Sequence, residues 1–484
     1  MSFTGRTKIQ TEFKSEDLRD MGNLASFLKL TMNSHLQNKV QIDYLINYRK
    51  GIQPILTKVK EVRPEINNKL VINHAQMVTR TVVGYFLGNP IQYIQSGTNK
   101  KEEIDILNKY VAYEDKYSVD QEIGEYQSIC GTAYRIIFTD GVFGDEVPFE
   151  DKALDPATTY VAYENSISEK PVAGVTYYDI YETDGSLKGT KIYVYTDFGV
   201  YDILTDSSRM LNTKSQVVFS SYNVGGVPII EYPNNIWRIG DWELCLILMD
   251  AINALYSGRL DDVDQIVQSI LVFLNVEIDS ETYDELRESG IIQLNSLRDK
   301  QPDIKSISTA LDQTGMSAFA EEMEALLYAI LGIPDRKSRS GGGGDTGQAV
   351  ELRDGWADLE IVARSKELVF KKSEKQALRI ILNILKNKEG LTLSLLDVDI
   401  KFTRNKNNNL LVKTQSYANL LGTRTLSPED CLTIVDLVSD VNEFISRGKE
   451  FWKENFANLN IGQKQSPDPE KQLENKEKVN EPTE

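Results

Sequence analysis

The stretch NNIWRIGDWELCLILMDAINALYSGRLDDVDQIVQSILVFL, residues 234–274, decides how the chain is organised. Apolar residues recur in it at alternating steps of four and three, the spacing of one helix face: Cys245, Met249, Ile252, Tyr256, then Val263, Ile266 and Ile270. We therefore predict one long helix that begins at about Asp241, where a carboxylate suits the N-cap, and that is roughly 45 Å long.

The middle of this predicted helix is charged. Arg259 occupies the missing step of the apolar period, and Asp261, Asp262 and Asp264 make the other face polar as well. A core helix in two parts with a solvated middle would have this pattern. A helix that packs sideways against copies of itself would tolerate the same charges. The spacing alone does not choose between these two interpretations.

The composition is that of an ordinary globular chain with a strong acidic balance. Its 484 residues suffice for two to four structural regions, and 41% of them are hydrophobic and 26% charged. The formal net charge is −18, which argues against a surface built to grip nucleic acid by neutralising phosphates. It fits a soluble protein, or one whose surface must repel phosphates.

Cysteine and histidine usage argues against disulfide and zinc sites. Cys130, Cys245 and Cys431 are far apart and form no CxxC pair, which is typical of a reducing compartment. His74 stands among apolar residues of a predicted helix, so we expect a packing role for it and no cofactor or metal. No apolar run reaches transmembrane length and the first residues lack a signal core, so we expect a cytoplasmic protein without membrane contact.

The order of predicted elements indicates an α+β fold. Up to about residue 130 the pattern is helical, with an amphipathic helix from Leu70 to Phe86 that stops at Gly88-Asn89-Pro90. Residues 130–232 alternate apolar and polar positions between turns, which predicts a β-rich unit. After the long helix, residues 273–310 predict a small α/β insertion, and a second helix follows over Thr314–Leu331.

The rest of the chain is predicted to be mostly helical. A long helix runs from Thr346 to about Asn387, and a strand lies within 394–404. A final helical pair includes a capped start at Thr425–Glu429, where Ser427 precedes Pro428. The tail beyond Ile461 has no apolar period, so we expect it to be disordered.

A glycine-rich segment separates the second helix from the long one. Four glycines, Gly341, Gly342, Gly343 and Gly344, follow the basic residues Arg336, Lys337 and Arg339. The glycines of 341–347 are similar to those of a phosphate-binding loop, but Gln348 and Ala349 replace its lysine and hydroxyl residue. A flexible surface loop, or a mobile basic loop that contacts a polyanion, therefore fits better than a nucleotide site.

At this point the order of segments resembles that of a known family, the portal proteins of tailed bacteriophages, of the SPP1-like type found in siphophages of Gram-positive hosts. The resemblance covers about residues 40–455 and depends on NNKLVINHAQMVTRTVVGYFLGNPIQY, GGVPIIEYPNN with LMDAINALYSGRLDDVDQIVQSILVF, GGGGDTGQAVELR, VDIKFTRNKNNN and TLSPED. No single segment is a strict signature; their order and spacing make the match specific.

The resemblance implies an architecture for each part of the chain. It assigns a wing to 1–235, a first stem helix to 236–272, a clip to 273–310, a second stem helix to 311–332, a tunnel loop to 333–346, a long wing helix and strand to 347–404, a helical crown to 405–460 and a disordered acidic and polar tail to 461–484.

It also implies a function without an active site. Family members form a dodecameric ring at one capsid vertex, made in the host bacterial cytoplasm, through which double-stranded DNA is packaged and later ejected. The implied partners are the terminase large subunit, a head-completion adaptor, and major capsid and scaffold proteins. Arg336, Lys337, Arg339 and Gly341–Gly344 would face the DNA, and Arg259, Asp261, Asp262 and Asp264 would form ion pairs between neighbouring subunits.

Two other classes of function compete with this one. A nucleotide-binding or hydrolytic enzyme could use the glycine-rich loop 341–347, but the missing lysine opposes that interpretation. A scaffold or adaptor that forms no ring would share the composition, and the size of the assembly would separate it from a portal.

Overall fold

The computed structural model describes residues 5–61, 63–96, 100–139, 147–206, 209–212, 215–267, 270–274, 303–307, 313–335, 356–404, 410–423, 425–435, 437–438 and 441–456. The chain divides into two units, residues 1–405 and 406–484. The first unit mixes helices and sheets, so the predicted α+β class is confirmed.

The helices of the first unit are α1 (Met21–Arg49), α2 (His74–Phe86), α3 (Lys101–Tyr113), α4 (Lys116–Cys130), α5 (Leu246–Val267), α6 (Gln313–Leu331) and α7 (Trp356–Glu389). Its strands are β1 (Ile9–Thr11), β2 (Gln92–Gln95), β3 (Thr132–Phe138), β4 (Glu150–Leu154), β5 (Thr159–Glu164), β6 (Pro171–Tyr181), β7 (Leu187–Tyr195), β8 (Gly199–Thr205), β9 (Gln216–Ser221), β10 (Ile229–Pro233), β11 (Ile270–Leu274), β12 (Asp303–Ile307) and β13 (Val398–Lys401).

The predicted β-rich unit contains two sheets. Six strands pair in the order β1-β5-β6-β7-β8-β9, and three pair in the order β10-β3-β4. Strand β1 was not predicted; it joins the larger sheet in parallel to β5, with Ile9 opposite Ala162. A single alternating triplet carries too little pattern to be distinguished from the start of a helical segment.

Helix α1 connects two hydrophobic cores. Its first half packs Leu24, Phe27 and Met32 with the larger sheet. Its second half packs Leu45 and Tyr48 with the other helices and with β3 and β10. One 29-residue helix therefore joins the sheet to the helical body.

Helix α2 begins later than predicted. The apolar pattern suggested a start at Leu70, but the helix begins at His74, and the Asn73 side chain caps it by accepting a hydrogen bond from the Gln76 amide at 3.1 Å. Residues 66–73 are not helical. Their backbone amides are instead used by another helix, as described below.

The predicted first stem helix is shorter than expected. Helix α5 begins at Leu246, after a short 3-10 turn at Glu243–Cys245, and ends at Val267, beyond which β11 pairs in antiparallel with β12. Asp241 is not the N-cap, which corrects our expectation. Its carboxylate accepts hydrogen bonds from Lys366 Nζ at 2.9 and 2.7 Å, so it ties the segment before α5 to α7.

The second unit contains helices α8 (Leu410–Gly422), α9 (Pro428–Val435) and α10 (Val441–Phe456) where a pair was predicted. The capped start is confirmed at Ser427, because its hydroxyl accepts a hydrogen bond from the Asp430 amide at 3.1 Å and donates one to the Asp430 carboxylate at 2.7 Å. Within the described part of the chain, every helix is too short or too polar to cross a bilayer.

Candidate functional site: the stem helices and their attachment

Helices α5 and α6 lie side by side, which brings together the two predicted stem segments. Tyr256 lies eleven residues before the end of α5, and Glu324 lies eleven after the start of α6. The Tyr256 hydroxyl donates a hydrogen bond to Glu324 Oε1 at 2.8 Å. The paired strands β11 and β12 hold the end of α5 close to the start of α6. Because Tyr256 and Glu324 lie equally far from these two helix ends, α6 runs antiparallel to α5. Ile252, Ala320 and Leu327 are buried around this contact.

A second face of α5 holds an extended segment of its own chain through polar side chains. Asn253 Oδ1 accepts from the Ile72 amide at 2.8 Å and Ser257 Oγ from the Leu70 amide at 2.9 Å. Asp261 Oδ1 accepts from the Asn68 amide at 2.6 Å. We call these three hydrogen bonds the polar ladder; its side chains are at most 3% exposed.

The ladder works because two periods match. Four residues of an α-helix rise about 6 Å, and two residues of an extended chain rise about 6.6 Å. Side chains four apart on α5 therefore meet amides two apart on residues 68–72. The face of α5 substitutes for a strand, and it satisfies amides that would otherwise be buried without partners.

Asp261 carries the ionic part of this attachment. Its Oδ2 lies 2.9 Å from Lys58 Nζ and 3.6 Å from Lys60 Nζ. Burial by itself would raise the pKa of Asp261, but the hydrogen bonds from Lys58 and Asn68 outweigh it and lower the pKa to about 2. The carboxylate is thus charged and fully occupied within one chain.

Two of the four residues of the predicted charged waist share one hydrogen-bond donor. Asp264 joins Asp261, because the Asn68 side-chain amide donates to Asp264 Oδ2 at 2.7 Å and to Asp261 Oδ1 at 3.0 Å. Arg259 and Asp262 are half-buried on other sides of the helix. The intrachain contacts of the two aspartates need no neighbouring subunit, and a role between subunits stays a prediction for the group.

The predicted tunnel-loop residues cannot be placed relative to the stem, since they lie outside the described residues: Arg336, Lys337, Arg339, Gly341, Gly342, Gly343 and Gly344. The last described residues before them are Ile333, Pro334 and Asp335 at the end of α6.

A third face of α5 is apolar and exposed, and sequence reasoning missed it. Ile247 is 85% exposed, Leu244 in the 3-10 turn before α5 is 72% exposed, and Ala251 and Ala254 continue the same strip at helical spacing. Helix α6 has a matching strip away from α5, in which Phe319, Leu326 and Ile330 are each more than half exposed. The sequence does show apolar residues around this part of α5 on every side but one, but their spacing is the same whether they are buried or exposed.

Helix α7 is attached to the sheets by buried charges. Glu374 accepts from Lys116 Nζ at 3.0 Å, from Arg135 Nη1 at 3.0 Å and from the Tyr232 hydroxyl at 2.7 Å, and Tyr93 also donates to it. Asp120 pairs with both Lys116 and Arg135. We call this group, together with Asp151, the charge cluster.

The charge cluster has one carboxylate too many. Two cations, Lys116 and Arg135, face three acids, Asp120, Glu374 and Asp151, and each of these side chains is at most 3% exposed. Burial would raise the pKa of Glu374, but Lys116 and Arg135 lower it to about 2. Burial raises the pKa of Asp151 to about 6, against the attraction of Arg135, whose Nε is 3.4 Å away.

The acidic residues of these two arrangements are not grouped as metal ligands. Among the described residues, no group of three or more histidine, cysteine, aspartate or glutamate side chains is placed to hold a metal ion. His74 is 4% exposed and lies edge-on to Tyr328, with 6.2 Å between ring centroids, which is a packing environment.

Comparison with known proteins supplies the family. Two solved structures are similar, the neck of a native GTA particle computed with C12 symmetry and the neck of an empty GTA particle computed with C6 symmetry. They share 13% and 12% identity with the chain, at a TM-score of 0.39 in both cases, over 76% of this chain and 89% of theirs. No curated protein sequence matches the chain.

The family profile described as phage portal protein, SPP1 Gp6-like, matches residues 28–455. That range contains α2 to α7, the polar ladder and the charge cluster. It also spans every segment on which the resemblance in the sequence depends. The chain therefore belongs to the SPP1 Gp6-like family of phage portal proteins.

Proposed function

We propose that copies of this chain form a closed ring at one capsid vertex, which conducts double-stranded DNA during packaging and ejection. The observation that carries this proposal, beyond the family, is the pair of exposed apolar strips on α5 and α6. They lie on two helices of one stem, and an apolar surface of this kind marks an interface.

The two strips differ in shape in a way that suits contact between neighbours. After Ile247, the strip on α5 continues with small residues, Ala251 and Ala254, next to Gly258. The strip on α6 has large ones, Phe319, Leu326 and Ile330. Large side chains of one subunit would fill this shallow part of the α5 strip of the next. Such a contact joins two different surfaces, so repetition around an axis closes a ring.

The negative net charge of the chain fits a protein that lets DNA pass better than one that binds DNA tightly. Each phosphate contact adds affinity and would slow a moving duplex, and a net charge of −18 disfavours such contacts. The basic residues Arg336, Lys337 and Arg339 are our candidates for weak contacts in the tunnel. The terminase large subunit, a head-completion adaptor, and capsid and scaffold proteins complete the proposed partners, and assembly in the host cytoplasm precedes incorporation into the virion.

The test is the size and symmetry of the purified protein, measured by light scattering and negative-stain imaging. We expect rings of about a dozen subunits. Ile247→Glu places a charge in the α5 strip and should abolish rings while the melting temperature of the subunit stays within about 2 °C, because Ile247 is 85% exposed.

Ile167→Glu is the matched control. Ile167 is fully exposed in the turn between β5 and β6, away from both strips, so rings should persist. A wild-type chain that stays monomeric at every concentration would contradict the proposal. So would an equal loss of rings in both variants, because the α5 strip would then have no special role.

A further inference from the structure

The larger sheet has one edge that carries none of the usual protection. Strand β9, Gln216–Ser221, pairs with β8 on one side and with no described strand on the other. Its sequence QVVFSS has no charge and no proline. Natural edge strands are usually short, charged, interrupted by proline or covered, because an open edge is a template for pairing with another chain.

The two edges of this sheet differ. The opposite edge, β1, has three residues, and Ile9 and Thr11 in it are buried. In β9 five of six residues are exposed, among them Val218 at 61% and Phe219 at 47%. The protection is therefore absent from one edge only.

The backbone groups that face outward can be identified. The Tyr222 amide, just after β9, donates to the Phe198 carbonyl at 3.3 Å, so residues of even number in β9 bond to β8 in this antiparallel pair. The amide and carbonyl groups of Val217, Phe219 and Ser221 then point to the open side. Spaced two apart, they have the pattern that a further strand requires.

The strand is held in place before any partner arrives. The Phe219 ring contacts Tyr201, with 4.8 Å between centroids, and it covers Gly199, where a Cβ atom would approach the ring to 2.6 Å. The edge is thus ordered in the free subunit, which lowers the entropy cost of adding a strand.

We propose that β9 is a strand-addition site for an extended segment of a different protein of the particle. The partner segment is uncharged, with apolar residues on both of its faces, because Val218 lies on one side of the edge and Phe219 on the other. Main-chain hydrogen bonds supply affinity and these two side chains supply selectivity.

A second copy of β9 is a poorer occupant. Two identical edges pair antiparallel about a two-fold axis, whereas neighbours in the proposed ring are related by rotation about the ring axis. This step rests on the proposed function. The other edge, β1, is too short to match six residues. A segment from another protein satisfies both restrictions.

The experiment uses the full chain and a synthetic peptide with the sequence of residues 216–221 and a lysine at each end. Hydrogen–deuterium exchange is measured with and without the peptide. We expect at least tenfold slower exchange of the Phe219 and Ser221 amides at saturating peptide. Amides that point to β8, such as that of Val218, should change little.

Val217→Pro removes one outward amide and none that bonds to β8, so it should weaken peptide binding at least tenfold. Val217→Thr keeps the amide and is the matched control. Because proline could unfold the edge, Val218→Lys is a second variant, which keeps every backbone group but adds a charge beside the site. It should also weaken binding, with an unchanged melting temperature.

Absence of protection at millimolar peptide, or equal protection in wild type and Val217→Pro, would overturn the proposal. Protection that appears without peptide and rises with protein concentration would also overturn it, by showing that copies of the chain pair with each other. These results are independent of ring formation, since peptide binding can be measured on rings and on Ile247→Glu subunits alike.

Discussion

Helices α5 and α7 are both long and both anchored by polar side chains, but they are anchored in different ways. Helix α5 uses the polar ladder, in which two neutral side chains and one aspartate meet backbone amides. Helix α7 uses the charge cluster, in which Glu374 meets two cations and two tyrosines. Hydrogen bonds from backbone amides to side chains of α5 fix which residues of the two segments lie opposite each other. In the charge cluster, removal of one buried charge leaves its partners buried without compensation.

The two helices also differ in the surfaces that they leave exposed. Helix α5 gives one face to its own chain, one to α6 and keeps an apolar strip exposed. Helix α7 buries Phe370, Ala377, Leu378 and Ile381 in the core on the same side as Glu374. The exposed strip leaves α5 a surface for the neighbouring subunit that we propose.

The largest effect should come from breaking the charge cluster. Glu374→Ala removes the acceptor that Lys116, Arg135 and two tyrosine hydroxyls share and leaves these buried donors without it, and we expect a loss of about 3–5 kcal/mol in the free energy of unfolding. Urea denaturation of the purified chain measures it. Lys375→Ala, one position along on the exposed side of α7, should change stability by less than about 0.5 kcal/mol and serves as the control. Similar losses of unfolding free energy in both variants would show that the charge cluster contributes no more to stability than an exposed position of α7.

A smaller effect should come from the polar ladder. Asn253→Ala or Ser257→Ala removes the acceptor of a partly buried amide, that of Ile72 or Leu70 respectively, at a cost of about 0.5–1.5 kcal/mol each. Exchange of the Ile72 and Leu70 amides should accelerate selectively in the respective variant. Acceleration spread evenly over α2 and α5 would indicate general loosening and contradict the ladder.

Removing the surplus acid of the charge cluster, Asp151, should change the stability of the folded chain in the opposite direction to Glu374→Ala. Burial raises the pKa of Asp151 from its ordinary value near 4 to about 6, so its contribution to stability is present below pH 4 and is lost as pH rises from about 4 to 6. Asp151→Asn balances two cations with two acids. The variant should equal or exceed the wild type in melting temperature at pH 8 and lose that advantage at pH 4. A variant less stable at both pH values would contradict this assignment.

The smallest effect should be the titration of Asp261. Its pKa is lowered to about 2 in the folded chain, so its contribution to stability is present above its ordinary pKa and is lost as pH falls from about 4 to 2. Thermal unfolding of wild type and Asp261→Asn between pH 6 and 2 tests this. The two curves should converge at the acid end; a constant difference would mean that charge is not what Asp261 contributes.

Much of the fold could be predicted from periodicity. The β-rich unit, the helix predicted over Thr314–Leu331 and the capped start at Ser427 follow from local patterns that the structure confirms. The predicted ends of helices were wrong where a hydrogen-bond partner distant in sequence determines them. Residues 70–73 have an apolar helical pattern, yet they are not helical, because Asn253 and Ser257, more than 180 positions away, accept hydrogen bonds from the amides of Ile72 and Leu70. Asp241 failed as an N-cap for the same reason, since Lys366 lies 125 positions away.

The site was predictable only in part. The sequence predicted the helix α5 and its charged middle, and the order of the segments identified the family. It could not show that Asp261 bonds to its own chain, because a carboxylate has the same pattern whether its partner is Lys58 or a neighbouring subunit. It also could not show that the α5 strip is exposed, since buried and exposed apolar faces have the same helical period.

By itself, the sequence determined the class of the fold, the presence of helices α5 and α6 and the membership of the portal family, since these depend on local periodicity and on the order of segments. Only the tertiary structure decided which polar residues are satisfied within one chain and which surfaces remain open: the polar ladder, the charge cluster, the apolar strips and the edge of β9. The physical reason is that hydrogen bonding and burial are set by partners distant in sequence, which no local pattern encodes.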